Sequence, residues 1–304
     1  MTGVALRTTH DLGHRLTVSA GGVDLLTYTY GVDLPRFESP MPYFHPLRTL
    51  AGDVVTGHRP HDHRWHKGLT MTVTYLSGQN FWGGNTYVHG EPEGRYVALP
   101  NTGSVLHTGF AALEADAGSL RFAEDLRWVT LAGEHWLDER RTVAVRDVAA
   151  DSWSLDFTTS LTNVRGRELE FGSPTTRGRP DAGYSGFFWR GPRDFTHGTV
   201  TSASGVGGEA MMGRAADWLA FSAEHDEVDR TSTLVFRDES APRVPDGRWF
   251  VRSSTEPVVN PSLAFHDPLF LADGATLTLR YRLIVANGTW DTARITGHLA
   301  SHVW

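Results

Sequence analysis

The stretch Thr276-Leu277-Thr278-Leu279-Arg280-Tyr281-Arg282-Leu283-Ile284-Val285 decides the fold class of this chain. Apolar residues occupy every second position from 277 to 285, and polar residues fill most positions between them. Successive side chains of a β-strand point to opposite faces of a sheet, so this alternation predicts a strand with one buried face. Residues 69–76 alternate in the same way and predict a second such strand.

Residues 152–159 also alternate clearly, and less regular alternation occurs along the rest of the chain, at residues 15–20, 24–30, 105–110, 119–128, 141–147 and 231–237. The best helical candidate, Glu209–Leu219, contains Gly213, which lowers helix propensity. Many short strands joined by turns predict an all-β fold, specifically a large antiparallel β-sandwich with few short helices. Because no linker divides the chain, residues 1–304 are predicted to form a single sandwich domain.

Composition excludes several classes of function. The formal net charge of -7 and the absence of a basic run argue against nucleic-acid binding. The chain has no cysteine, which excludes disulfides, thiolate metal sites and cysteine nucleophiles. The N-terminus shows no signal-peptide pattern, and no apolar run is long enough to span a membrane. We therefore expect a cytoplasmic protein without nucleic-acid or membrane partners.

Four long irregular regions are the predicted location of the functional site, because loops of this length in a compact domain are usually functional. They comprise residues 31–68, 78–100, 172–198 and 238–268. We expect parts of them to converge on one pocket, namely residues 40–48, 58–68, 78–90, 186–193 and 260–268.

The richest of these segments is His58-Arg59-Pro60-His61-Asp62-His63-Arg64-Trp65-His66-Lys67-Gly68. Pro60 argues against a helix, so the segment is predicted to be a polar loop before a strand. Histidine titrates near neutral pH, which suits acid/base catalysis. His63 and His66 are the predicted catalytic pair, and Asp62 is predicted to orient an imidazole. The alternative is a structural cluster of hydrogen bonds that holds the loop.

Several other side chains are candidates for substrate binding. An aromatic ring beside an amide suits a sugar, and an arginine suits a carboxylate or neighbouring hydroxyl groups. The alternatives are that the aromatic residues are core and that Arg190 forms a buried ion pair with an acid such as Asp194. The predicted substrate-binding residues are His45, His58, Arg59, Trp65, Asn80, Trp82, Arg190 and His266.

No cofactor is predicted, but a divalent metal held by histidines is a second hypothesis. His58, His61, His63 and His66, together with distant His45 or His266, contain enough nitrogen ligands for three to converge. Their spacing matches no zinc template. Two histidines with a carboxylate are also a known arrangement for iron or manganese.

Five segments together resemble the PmoA-like family of uncharacterised bacterial proteins, and the similarity extends over nearly the whole chain. They are Pro42–Leu47, His58–Leu69, Asn80–Gly84, Gly172–Pro180 and Phe188–Pro192. The family name implies a methane oxygenase subunit. Such a subunit needs spanning helices, and this sequence predicts none.

A second resemblance concerns the fold. Pro261–His266 followed by Leu277–Leu283 is similar to the last strands of galactose-mutarotase-like β-supersandwiches. This resemblance implies sugar chemistry with histidine and carboxylate residues on a concave sheet, although no position matches the mutarotase catalytic glutamate. The sequence therefore predicts a non-redox hydrolase, lyase or isomerase acting on a sugar or glycoside. The alternatives are a non-catalytic sugar-binding or regulatory module and a metal-dependent enzyme. The oligomeric state is left open.

Overall fold

The computed structural model describes residues 5–90, 94–116, 118–240, 247–302 and 304. The predicted loops 78–100 and 238–268, the single predicted domain and the N-terminal prediction each include residues outside these ranges. Strands make up 51% of the structure and helices 7%, so the predicted excess of strand is confirmed.

The strands, in chain order, are β1 (Leu6–Asp11), β2 (Arg15–Ala20), β3 (Val23–Thr29), β4 (Tyr43–Leu47), β5 (Leu69–Leu76), β6 (Gln79–Phe81), β7 (Thr86–Val88), β8 (Arg95–Val97), β9 (Ser104–Ala115), β10 (Leu120–Val129), β11 (His135–Arg146), β12 (Ser152–Asn163), β13 (Leu169–Gly172), β14 (Gly186–Arg190), β15 (Thr199–Ser202), β16 (Gly205–Val206), β17 (Trp218–Glu224), β18 (Thr231–Asp238), β19 (Trp249–Arg252), β20 (Val258–Pro261), β21 (Leu269–Leu271) and β22 (Thr276–Asn287). The one α-helix described, α1, spans Thr292–Ser301, and 3₁₀ turns lie at Arg36–Glu38, Arg193–Phe195 and Gly208–Met211.

Two large sheets contain nearly all of these strands. The first has eleven strands, with a main path in the order β1-β2-β3-β4-β5-β14-β20-β19; β6 and β13 pair with β5, and β21 pairs with β13. The second has nine strands in the order β16-β15-β17-β18-β22-β12-β11-β10-β9. The strand pairs inside both sheets are antiparallel, as in the pairing of β12 with β22 and of β14 with β5. A separate hairpin is formed by β7 and β8.

The hydrophobic core lies between the two sheets. Phe187 of β14 stacks on Tyr281 of β22 with 4.9 Å between ring centroids, and Trp189 contacts Phe236 of β18. Because side chains alternate along a strand, Phe188 points from β14 to the outer face of the first sheet. The predicted large antiparallel β-sandwich is confirmed, and its outer face carries the aromatic residues that build the site.

A buried polar network also lies between the sheets. The Arg141 guanidinium pairs with Glu139 at 2.8 Å and donates to the Tyr28 hydroxyl at 2.9 Å. Tyr28 in turn donates to Glu124. Thr159 also donates to Glu139, so the carboxylates and the guanidinium have partners in an otherwise apolar interior.

The predicted strands are confirmed, whereas the predicted helix is wrong. Residues 69–76 form β5 and residues 276–285 lie inside β22, as the alternation predicts. The helical candidate Glu209–Leu219 is wrong, because its first residues form a 3₁₀ turn and its end begins β17. The sequence reading missed α1, which begins where the Asp291 side chain accepts from the Arg294 amide at 2.8 Å. None of the helices described is long and apolar enough to span a membrane.

Candidate functional site

A cavity of about 270 Å³ opens on the outer face of the first sheet. Its apolar floor consists of Phe188 from β14, Phe250 from β19, Val258 from β20 and Trp82, which follows β6. Trp189, Val251 and Val259, the neighbours of these floor residues along the strands, belong to the core between the sheets. Strand alternation therefore builds the core and the cavity floor from the same three strands.

The histidine-rich loop reaches the cavity as a tight, hydrogen-bonded turn. His58 and Lys67 form an antiparallel bridge, and the His63 amide donates to the Pro60 carbonyl at 3.0 Å. At its base, Gly68 donates to Gly57 at 2.9 Å. A Cβ on Gly57 would lie 2.5 Å from the Gly191 carbonyl oxygen, so only glycine permits this close approach to the end of β14.

Lys67, the only lysine of the chain, holds this loop from within. Its side chain is fully buried, and its ammonium group donates to the carbonyl oxygens of Glu38, Ser39 and Trp65. Burial lowers the pKa of Lys67 to about 7, Glu38 opposes this shift, and Arg59 adds to it. Part of the predicted structural alternative therefore applies to the loop, because its lysine is occupied by main-chain contacts.

His66 lies at the wall of the cavity and is 5% exposed. Its ring packs against Trp82 and Phe188, with centroid distances of 5.5 and 5.0 Å. Its Nδ1 is buried without a hydrogen-bond partner and lies 4.0 Å from a carboxylate oxygen of Glu256. Burial, followed by the charge of Arg190, lowers the pKa of His66 well below its ordinary value. His66 is therefore a neutral imidazole at pH 7 that can accept a proton.

His63 lies beside His66, with 4.9 Å between the ring centroids, and also lines the cavity. Asp62 is 3.5 Å from Nδ1 of His63, but its other oxygen accepts from Arg193 at 2.8 Å. Both His63 and Asp62 are substantially exposed, so their mutual attraction is screened by water. The structure brings the three predicted catalytic residues together, with His66 enclosed and the other two nearer to solvent.

Arg190 is buried behind the cavity and forms an ion pair with Glu256. The predicted partner Asp194 is not the acid involved. Glu256 follows β19, lines the cavity and faces both Arg190 and His66. Arg190 therefore positions a carboxylate at the cavity wall and does not itself line the cavity.

Trp65 and Trp82, two of the predicted substrate-binding residues, both line the cavity. The Trp65 ring lies directly over Gly84, where an added Cβ would come within 2.6 Å of the indole. Gly84 also has a positive φ of 68°, which strongly favours glycine. The Gly83-Gly84 pair thus makes room for Trp65 as well as forming a turn.

Asn80 is close to the cavity but its amide is used within the protein. Its side-chain oxygen accepts from the amides of Trp82 and Gly83 at 2.8 and 2.9 Å. Its nitrogen donates to the Thr86 hydroxyl at 3.1 Å. Because both ends of the amide are occupied and the residue is buried, Asn80 shapes the Trp82 turn and has no free group for substrate.

The remaining predicted binding residues lie away from the cavity wall. His45 and His58 stack on one another at 4.7 Å, and burial lowers the pKa of each to about 4. Arg59 forms a two-pronged ion pair with buried Glu38, whereas His266 is exposed beside Phe265. Within the described ranges, no three His, Asp or Glu side chains form a group that could hold a metal ion. The ligand set of the metal hypothesis is therefore not assembled there.

Sequence reasoning missed a second group of residues at the same cavity. Arg179, Tyr96 and Tyr184 line it, together with Arg252 of β19. Tyr184 packs against both Trp82 and Phe250. Alternation in the short strand Trp249–Arg252 is a signal that could have placed Arg252 on the outer face.

A Ser–His–Asp arrangement elsewhere in the protein resembles a catalytic triad in its distances. Ser232 Oγ is 2.6 Å from Nε2 of His225, and Nδ1 of that ring is 3.8 Å from Asp194. Ser232 is completely buried within β18, so no substrate reaches its hydroxyl group. These residues hold the loop after β17 and are separate from the cavity.

The sequence profile of DUF6807 matches residues 15–300. The chain belongs to this family of unknown function. The match does not confirm the PmoA-like designation suggested by the motifs. No curated protein sequence matches the chain.

Solved structures of similar fold are distant in sequence. A GH36 α-galactosidase from Geobacillus stearothermophilus has a TM-score of 0.44 and 10% identity, over 94% of this chain and 41% of that protein. A heparan sulfate lyase mutant from Pedobacter heparinus has a TM-score of 0.40 and 9% identity, over 95% and 36%. A putative aldose 1-epimerase from Klebsiella pneumoniae has a TM-score of 0.38 and 10% identity, over 97% and 82%. The chain thus spans about two-fifths of the galactosidase and most of the epimerase.

Proposed function

We propose that this protein is a carbohydrate-processing enzyme that carries out non-redox acid/base chemistry in the outer-face cavity. The observation that carries the proposal is the position of His66. Its imidazole is enclosed in an aromatic cavity, has a lowered pKa, and makes no hydrogen bond within the described structure. A buried polar atom without a partner is unusual in proteins and calls for an explanation, such as a hydrogen bond that forms only when a ligand binds.

Glu256 is the carboxylate best placed to orient His66. An imidazole that points its Nδ1–H toward a carboxylate presents the Nε2 lone pair to substrate. The separation of 4.0 Å is longer than a hydrogen bond, and catalytic hydrogen bonds often shorten when substrate binds. In this proposal Glu256 takes for His66 the orienting role that the sequence suggested for Asp62.

His63 is the second proton carrier. It lies next to His66 and nearer to solvent, so it can exchange a proton with water while His66 acts on the enclosed part of the substrate. The lowered pKa of His66 and the greater exposure of His63 give the two imidazoles different environments, as suits an acid/base pair. General acid/base catalysis of this kind suits hydrolysis, elimination and isomerisation of sugars.

The floor of the cavity favours a sugar ring. Trp82, Phe188 and Phe250 present aromatic surface, and Trp65 borders the same space. Pockets for small molecules typically combine apolar and aromatic walls with a few convergent polar groups. Sugar rings expose apolar C–H faces between their hydroxyl groups, so this combination suits a carbohydrate ligand.

The test compares His66→Ala with His266→Ala, an exposed histidine outside the cavity. Wild-type protein is incubated with a panel of reducing sugars and chromogenic glycosides, and products and anomer exchange are followed by NMR and absorbance. We expect turnover that falls roughly 10²- to 10⁴-fold in His66→Ala and is unchanged in His266→Ala. Sugar binding by the wild type without any product would favour the non-catalytic sugar-binding module instead. Turnover that survives in His66→Ala would remove His66 from the mechanism.

A further inference from the structure

Two arginines at the cavity wall indicate which class of sugar the cavity binds. Arg179 and Arg252 both line the space that His66 borders, on the part of the wall beyond the Trp82 ring. Trp82 contacts His66 at 5.5 Å and Tyr184 at 4.8 Å between ring centroids. The arginine group and the histidine group therefore lie within one ligand length of each other.

These arginines differ from the other arginines around the site. Arg59, Arg190 and Arg193 each pair with a carboxylate, those of Glu38, Glu256 and Asp62 respectively. Within the described parts of the chain, neither Arg179 nor Arg252 forms an ion pair. Neither of these two positive charges at the cavity is therefore in contact with a carboxylate of the described residues.

The contacts that these two arginines do make hold them in place without neutralising them. Arg179 donates to the Tyr96 hydroxyl and lies over that ring, and Arg252 lies 5.5 Å from the centroid of Phe250. The positive charge of Arg252 helps to lower the pKa of Glu209, but Oε1 of Glu209 accepts hydrogen bonds from the Ser253 and Ser254 amides and not from Arg252. Both guanidinium groups are thus oriented by aromatic rings and keep donors for a ligand.

The tyrosines add neutral donors at the same place. The hydroxyls of Tyr96 and Tyr184 are hydrogen-bonded to each other. Burial and the neighbouring Tyr96 raise the pKa of Tyr184 well above its ordinary value, so Tyr184 stays protonated. Tyr184 therefore adds no negative charge that would oppose an anionic ligand. The chain has a net charge of -7, so the positively charged part of the cavity wall at Arg179 and Arg252 is a local exception.

We propose that the cavity takes a sugar that bears a carboxylate, a uronic acid unit, and that Arg179 and Arg252 bind this carboxylate. The inference rests on the proposed function, because it identifies the class of sugar for the same cavity. Guanidinium groups match the planar geometry of a carboxylate and form charge-assisted hydrogen bonds with it. A volume of about 270 Å³ is at the small end for ligand pockets, so the cavity encloses about one sugar unit.

The experiment uses pairs of sugars that differ only at C6. Dissociation constants of glucuronate and galacturonate are measured against those of glucose and galactose by calorimetry or NMR titration with the full chain. One charged hydrogen-bonding interaction corresponds to roughly 10- to 100-fold in affinity. We expect the acids to bind at least 10-fold more tightly than the neutral sugars at low salt.

Variants locate the preference within the cavity. Arg179→Gln and Arg252→Gln should each weaken acid binding about 10-fold or more and leave neutral-sugar binding within about twofold. Arg252→Lys keeps the charge but loses the planar fork, so its effect should be intermediate. Arg177→Gln is the matched control, because Arg177 is on the same loop, pairs weakly with Glu170 and does not line this cavity. It should bind both sugars as the wild type does.

The wild-type measurement stands even where a variant fails to fold. Equal binding of acids and neutral sugars would overturn the inference and leave the proposed function intact. The same holds for tighter binding of a sulfated sugar than of the uronate. Binding of neither acidic nor neutral sugars would overturn the proposed function and this inference together. An acid preference that survives in both glutamine variants would show that the carboxylate is held elsewhere.

Discussion

The stability of this protein should rise with pH in a window controlled by Lys67. This side chain is fully buried and is the only lysine, so no other lysine contributes. Its pKa is about 7 in the folded protein and returns to its ordinary 10.5 in the unfolded chain. Between these values the unfolded chain binds one more proton than the folded protein, so unfolding becomes less favourable as the pH increases.

The magnitude follows from the same two values. The full difference between about 7 and 10.5 corresponds to a free energy of roughly 5 kcal/mol. For one titrating group, the free energy of unfolding changes by at most about 1.4 kcal/mol per pH unit. It should therefore rise by about 2–3 kcal/mol between roughly pH 7.5 and 9.5. The raised pKa of Tyr28, Tyr184 and Tyr281 reduces stability only at higher pH.

The assay is denaturant unfolding followed by tryptophan fluorescence at several pH values, with Lys67→Met as the control. The wild type should gain stability across the window, and the variant should show no such gain. Because Lys67→Met leaves three carbonyl oxygens without their donor, the variant can be unstable. NMR of protein labelled at the lysine ε-carbon then reports the pKa directly. A wild-type stability that is flat from pH 7.5 to 9.5, or a resonance that titrates near 10, would refute the reasoning. Either result would mean that the three carbonyls hold the ammonium form.

Four further predictions concern the core and the site. Arg141→Met should lower the free energy of unfolding by about 3–5 kcal/mol, because it leaves the buried Glu139 carboxylate unpaired; a loss under about 1 kcal/mol in denaturant unfolding would contradict this. Asn80→Ala should cost about 1–3 kcal/mol and weaken sugar binding by displacing the Trp82 turn, whereas unchanged unfolding and binding would show that the turn holds without the amide. Asp62→Asn should change turnover by less than about fivefold, because Asp62 is exposed and paired mainly with Arg193, and a loss above 100-fold would restore it as the orienting residue. Turnover should persist well below pH 6.5, because the lowered pKa keeps His66 neutral there, and a rate that halves near pH 6.5 would assign the limb to another group.

The fold could be predicted from the sequence because one rule repeats along the chain. Alternation in residues 69–76 and 276–285 predicts strands with one face in the core, and the structure forms β5 and β22 there. The helix α1 is not predicted from the sequence, because its apolar periodicity is short. Its buried residues Ile295 and Leu299 supply only one helical spacing behind the Asp291 cap. Burial of these two residues, which periodicity alone could not reveal, fixes this helix against β17 and β18 residues such as Trp218 and Val235.

The candidate site was only partly predictable, because residue type reports chemistry and does not report which partner is near. His63, Trp65 and His66 line the cavity and belong to the histidine-rich loop, whereas Trp82 was indicated by an aromatic ring beside an amide. His45 and His58 have the same chemistry but stack on each other away from it.

The carboxylate at the site illustrates the physical limit of such a reading. Glu256 is an ordinary acid in a loop, and nothing in its sequence neighbours marks it. It gains a role only because the fold sets it against Arg190, a residue 66 positions away, and near the unpartnered nitrogen of His66. The same logic applies to Arg179 and Arg252, which form no ion pair with any carboxylate of the described residues, and such a missing partner is visible only when the whole cavity is assembled. Pairing between distant charges, which sequence alternation does not encode, thus decides which of many similar side chains are free to meet a ligand.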